Sequence, residues 1–402
     1  MRALEALKPK APQALALGLF LAGIALAAMA LGVSDWRMGA LAVIGALLGL
    51  ALYHGAFGFT AAYRRAMVGR DMGAVRAQIV MLALAAVLFA PVLGAGEAFG
   101  GRVFGAVAPA DLRVAAGAFL FGIGMQIAGG CASGTLFTLG GGSLRMMLVL
   151  AAFCGGGFWA TFHLAFWNAL PSLGFVAFDR SLGWAGALAL TLALLAALWL
   201  AAGRLGRGRQ TPILEPGAGG ARRLLAGPWP LIWAALALAI LNFATLLVAG
   251  HPWSVTWGLT LWAAKLAALL GWVPEPGSFW AGGFPARALA APLARDTVSV
   301  MNLAIVMGAG VAAAAAGRFR PGIDWRWGPV VAAVLGGLML GYGARLAYGC
   351  NIGAFFSGVA SQSLHGWIWI AAALPGTWLG IRLRPIFGLD DGGLEASARE
   401  TA

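Results

Sequence analysis

Apolar residues along this chain come in blocks close to the twenty or so residues that a helix needs to cross a bilayer. The blocks are 13–33, 38–58, 74–95, 112–130, 144–168, 181–203, 229–249, 255–273, 297–316, 328–347 and 364–383. Glycines interrupt several of them, so some read as half-helices or re-entrant pieces, and nine to eleven crossings are expected. The first block follows a basic stretch, Met1 to Pro12, and is longer than a signal-peptide core of roughly 7–15 residues. It therefore reads as an uncleaved span with a cytoplasmic N-terminus. The one sizeable polar interruption is 204–228, "RLGRGRQTPILEPGAGGARRLLAGP". It reads as a basic cytoplasmic linker between an N-terminal half, 1–203, and a C-terminal half, 229–402. The expected fold class is an all-α, polytopic transmembrane protein with an internal two-fold repeat and discontinuous helices.

Composition agrees with a membrane chain. Of 402 residues, 61% are apolar and 10% charged, against about 25% charged in soluble domains. The net charge of +13 is carried by arginine, the lysines being Lys8, Lys10 and Lys265. These cations sit in short loops, the pattern of positive-inside orientation in a bacterial inner membrane rather than of a nucleic-acid partner. Three cysteines on distant segments do not make a disulfide framework.

The halves resemble each other. "GMQIAGGCASG" (Gly124–Gly134) aligns with "GARLAYGCNIG" (Gly343–Gly353), and "RDMGAVRAQIVM" (Arg70–Met81) with "RDTVSVMNLAIVM" (Arg295–Met307). Repeated transporters bind substrate near the midplane, where broken helices of the two halves meet. Cys131 and Cys350 thus become pseudo-symmetry mates. Whether the repeats run parallel or inverted is left open by the sequence.

Glycine around a thiol is the signature of a bent backbone, which at membrane depth must be buried in protein or line a cavity. Gly130, Gly134, Gly349 and Gly353 flank the two cysteines, and Ser133 and Asn351 add donors. Thr135, Ser143, Ser357, Ser361, Gln362 and Ser363 extend the polar set. The competing reading is close helix packing through small residues, with cysteine as a small hydrophobe. Neither Cys-x-x-Cys nor His-x-x-x-His spacing occurs, so no metal is expected. Walker A and dinucleotide fingerprints are likewise missing at any strand–helix junction, so no cofactor is expected. A neutral buried thiol is a weak, polarizable donor, suited to a loose site for a soft sulfur-containing anion.

"GGCASG" together with "YGCNIGAFFSGVASQSLHGW" resembles the YeeE/YedE (sulphur-transport, DUF395) membrane proteins over most of the chain. The resemblance implies uptake of thiosulfate or a related sulfur or selenium species through an hourglass-shaped helical protein, without enzymatic chemistry. Cys131 and Cys350 match the family's central cysteines, and a TusA-like sulfurtransferase is the implied cytoplasmic partner. The family often has a further cysteine after an early span. Here "GAFGFTAAYRR" places Gly58 at that position, and Cys154 is the remaining candidate. A membrane sulfurtransferase or redox enzyme forming a cysteine persulfide is the alternative from another class.

Ionisable residues inside spans are functional hypotheses by default. Lys265 lies mid-block in "WGLTLWAAKLAALLGW", and Arg345 precedes Cys350 by five residues, with Gln126 as its mate in the first half. Both cations are expected along the substrate pathway. Arg76 reads as an interfacial cation, and His54, His163 and His365 as packing residues.

Overall fold

The computed structural model describes residues 11–214, 220–322 and 325–389. Most of the basic N-terminal stretch and residues 215–219 of the linker lie outside them. The helices are α1 (Ala11–Ser34), α2 (Trp36–His54), α3 (Phe59–Gly69), α4 (Gly73–Ala95), α5 (Leu112–Ala128), α6 (Ala132–Gly140), α7 (Arg145–Ala160) and α8 (Phe178–Leu205). After the linker come α9 (Leu231–Ala249), α10 (Thr256–Leu269), α11 (Gly283–Ala290), α12 (Thr297–Ala315), α13 (Trp327–Leu346), a π-helical turn (Asn351–Phe356), α14 (Ser357–Ala360) and α15 (Leu364–Leu383). Nine segments of the described residues are long and apolar enough to cross a membrane. The chain is an all-α, multi-pass membrane protein.

Hydrogen bonds between helix ends sort them onto two faces. On the linker face, the Trp229 amide donates to the His54 carbonyl, Arg207 to Arg70, and Gly322 to Gly142. Gln13 Nε2 reaches the Phe319 carbonyl at 2.8 Å on the same face. On the opposite face, the Phe104 amide donates to Gly250, Phe178 to Gln362, and Leu364 to Val176. A short antiparallel pair, Pro109–Asp111 with Ser172–Phe175, closes that face.

Two windows differ from their sequence-derived bounds. The stretch 38–58 breaks after His54: the chain turns through Gly55–Gly58 and returns as the short helix α3. The window 255–273 holds only the 14-residue α10. The chain also turns inside the bundle before α6, at Gly129–Cys131, and before the π-helical turn, at Ala347–Cys350.

Helix contacts come in exchanged pairs. α2 packs on α12 as α9 packs on α4, α5 on α15 as α13 on α7, and α5 also packs on α13. Glycine permits these contacts because a side chain would strike the neighbouring backbone. A β-carbon on Gly308 would lie 1.9 Å from the Ala46 carbonyl, one on Gly376 2.1 Å from that of Phe119, and one on Gly341 2.0 Å from that of Phe153.

Candidate functional site

Four short helical segments begin inside the bundle. Their N-caps are Gly58 for α3, Cys131 for α6, Val255 for α10 and Cys350 for the π-helical turn. Three long helices that start at the opposite face are treated otherwise: Asp35, Asp111 and Asp296 cap α2, α5 and α12 through their carboxylates. No carboxylate caps an interior start. The positive ends of the interior helices therefore keep unneutralised amide dipoles.

Both thiols are buried, with Cys131 1% and Cys350 0% exposed. Each sits where serine or aspartate often caps a helix. The Ile352 amide donates to Cys350 Sγ at 3.4 Å, and Cys131 Sγ is paired with Ser133 Oγ at 3.4 Å. The two cysteines lie within electrostatic range of each other, and Tyr63 on α3 lies within range of Cys131. The turns need their glycines. Gly349 has φ +157°, and a β-carbon there would come 2.7 Å from the Ala354 amide nitrogen. Gly129 ends α5 in the left-handed region, φ +83°.

Polar atoms without a protein partner gather around these starts. They include Tyr63 Oη, Thr60 Oγ1, Gln126 Oε1, both polar side-chain atoms of Asn351, and Trp253 Nε1, all buried. The Tyr63 hydroxyl stands beside Asn351 without the alignment of a good hydrogen bond. Buried polar atoms are normally satisfied, so a cluster of exceptions marks a place for water or a ligand.

The sequence-derived candidates separate into groups. Ser133 touches the Cys131 thiol, and a β-carbon on Gly134 would sit 3.5 Å from its sulfur. Gly130 packs against the backbone at Gly134 and Thr135. A β-carbon on Gly353 would lie 3.3 Å from Ser254 Oγ. Gln126 Nε2 donates to the Thr60 carbonyl at 3.1 Å, which ties α5 to the start of α3. Arg345 lines a cavity of about 330 Å³ at the opposite face. A second cavity, about 360 Å³, opens at the linker face beside Tyr53, Ser143, Arg318 and Arg320.

Lys265 is not brought to the thiols. Its ammonium donates to the Leu289 and Ala291 carbonyls at 2.7 and 2.5 Å, closing the end of α11. The block around it looked like a full span, whereas α10 ends four residues later and the amine reaches a helix end. Cys154 is half-buried on α7 and packs against the apolar core. Arg76 stacks on Trp199 at 4.2 Å. Ser361 Oγ accepts from the Ala106 amide, and Ser363 pairs with His365, so both serve the opposite-face loops.

Sequence reasoning missed Tyr63, Asn242, Trp253, Ser254 and Arg113. Tyr63, in "TAAYRR", drew no reading from the sequence, and only tertiary folding places it by Cys131. Arg113 donates to the Leu346 and Arg345 carbonyls at 3.0 and 3.4 Å and to Asn168, so it holds the end of α13.

Among the described residues no group of three metal-ligating side chains occurs. A family signature described as "Sulphur transport" matches residues 54–379. The chain is 27% identical over 351 residues to the thiosulfate transporter TsuA of Spirochaeta thermophila, covering 84% of this chain and 96% of that protein. It is 36% identical over 162 residues to the probable transporter YedE of Escherichia coli, covering 40% of this chain and 39% of that one. The YedE of Salmonella typhimurium is 34% identical over 161 residues, with the same shares. These relatives are named as transporters, and this chain is a transporter, not an enzyme. With its buried thiols, interior helix starts and matched signature, the chain belongs to the sulphur transport family of multi-pass membrane proteins.

Proposed function

We propose that this protein takes up thiosulfate or a closely related small sulfur-containing anion through a constriction between the interior helix starts, with Cys131 and Cys350 as weak central sites. One observation carries the reading: two buried thiols cap interior helix starts, among partnerless polar atoms and without a carboxylate cap. Helix N-termini favour anions, and a neutral thiol holds them without trapping them. Ser133, Asn351 and Gln126 supply further donors in this reading. Gly130, Gly134, Gly349 and Gly353 keep the backbone close, and Arg345 raises the local potential. Lys265 and Cys154 are left outside the pathway. The name of the TsuA relative supplies the thiosulfate.

The two halves act as inverted repeats in this reading, since the chain turns inward from the linker face before α3 and α6 and from the opposite face before α10 and the π-helical turn. Described arginines crowd the linker face, among them Arg70, Arg207, Arg209, Arg222, Arg223, Arg318 and Arg320, whereas Asp71 is that face's one described acid. The positive-inside rule then makes the linker face cytoplasmic in a bacterial inner membrane, with a TusA-like sulfurtransferase as the acceptor there. The test is growth on thiosulfate as sole sulfur source. Cys131→Ala and Cys350→Ala should each abolish it at normal levels of folded protein, and normal growth of both removes the thiols from the mechanism.

A further inference from the structure

The opposite-face cavity has a chemistry of its own. Arg345, Tyr348, Ser254, Thr256 and Thr260 form its polar wall, and no carboxylate lines it. Arg345 Nε is buried without a hydrogen-bond partner. The Arg113 guanidinium is engaged instead with the last carbonyls of α13 and with Asn168, so it holds the backbone of Arg345 and places a second positive charge behind it. Phe279, from the segment that follows α10, lays its ring on the Arg345 guanidinium at 4.9 Å. The wall also reaches the thiol turn, because Ser254 Oγ lies 3.3 Å from the β-carbon position of Gly353, three residues beyond Cys350.

We propose that this cavity is a binding subsite for a small tetrahedral oxyanion, held on the edge of Arg345 before it meets the Cys350 turn, with Phe279 limiting how tightly it is held. The proposal rests on the reading that such an anion crosses this protein. A guanidinium offers its N–H edge to an oxyanion as a planar fork while its face stays free for an aromatic ring. Nε, on that edge, is buried without a partner, and Phe279 stacks against the guanidinium. Hydroxyls at Ser254 and Thr256 replace part of the anion's water, whereas the Thr260 hydroxyl donates to the Thr256 carbonyl at 3.1 Å. A desolvated arginine alone would hold a dianion too long for flow, because conduction needs sites that release as readily as they bind. The stacked ring and the neighbouring neutral hydroxyls moderate the site.

The test is uptake of labelled thiosulfate into proteoliposomes, with variants matched for a monodisperse gel-filtration profile. Arg345→Gln should raise the apparent KM at least tenfold with Vmax within twofold of wild type, and Arg345→Lys should recover most of that loss. Phe279→Leu should lower KM and Vmax together. An unchanged KM in Arg345→Gln, or no change of either constant in Phe279→Leu, overturns the proposal. Equilibrium dialysis with labelled thiosulfate and, separately, labelled sulfate reads the subsite without transport. Binding kept in Cys350→Ala and weakened tenfold in Arg345→Gln supports the subsite even if liposomes show no flux, in which case the transport reading alone fails. Absence of binding in wild type, or binding that follows Cys350 and ignores Arg345, overturns the subsite while leaving the transport reading to its own growth test.

Discussion

Asn242 Nδ2 donates to Ser357 Oγ at 3.2 Å, joining the middle of α9 to the start of α14. The same asparagine accepts from the Trp253 amide at 2.8 Å, and Ser357 donates to the Trp253 carbonyl at 3.0 Å. All three residues are fully buried. Together these bonds tie the turn before α10 to the segment that carries Cys350. Asn242→Leu leaves the Trp253 amide unsatisfied, which costs about 1–3 kcal/mol. The expected result is a melting temperature lowered by several degrees in detergent, together with reduced uptake. An unchanged melting curve would show that the three bonds do not hold the turns.

Two glycines separate backbone need from thiol crowding. Gly349→Ala forces a side chain into φ +157° and against the Ala354 amide, a strain of about 1–3 kcal/mol. Destabilised protein and lost uptake should appear together. In Gly134→Ala the new methyl meets Cys131 Sγ at 3.5 Å, an ordinary contact. Its melting temperature should hold while uptake falls, and thermal melts paired with flux assays distinguish the two outcomes.

Gly58 faces open space, with nothing within 4 Å of a β-carbon there, although Phe57 and Phe59 on either side are buried. Gly58→Cys should therefore fold as well as wild type. Its thiol should react with a small methanethiosulfonate reagent faster than those of Cys131 and Cys350. A large fall in melting temperature would show that the space is not free.

Lys265→Gln tests the relocated lysine. Its ammonium satisfies the carbonyls of Leu289 and Ala291, so the variant should lose stability near α11 and keep the KM for thiosulfate. A severalfold change of KM would return Lys265 to the pathway.

Asp71 lies between α3 and α4, outside the spans. Burial pushes its carboxyl up, but bonds from the Thr211 hydroxyl at 2.5 Å, the Thr211 amide at 2.9 Å and the Gly73 amide at 3.0 Å, with the charge of Arg65, hold it below the ordinary carboxylate range. A depressed folded value means the stabilisation is complete above the unfolded value of about 3.9 and fades as pH falls through the folded one. Proteolysis of the segment 206–213 should therefore be slow in wild type at neutral pH and fast only in strong acid. Asp71→Asn should be cut quickly at neutral pH.

Much of this was legible in the chain. The apolar blocks marked the helices because bilayer thickness sets their length, and the repeated Gly-Cys motifs pointed to both thiol-bearing turns. What escaped were residues whose role depends on which segment turns back. Lys265 looked like a charge in mid-membrane because the window around it had the length of a span. Tyr63 and Ser254 approach the thiol turns only through tertiary folding, and a sequence window holds no trace of that. Arg113 drew no reading from the sequence, since its carbonyl partners lie more than two hundred residues away.

The backbone contact at Gly308 and Ala46 has a mechanical consequence. With main chains from opposite halves touching where no side chain fits, neither half offers a smooth surface on which the other could slide or tilt. On the proposed reading, permeation is then served by small displacements of the short inner helices inside a stationary frame, and a covalent clamp between α2 and α12 should leave the flux intact.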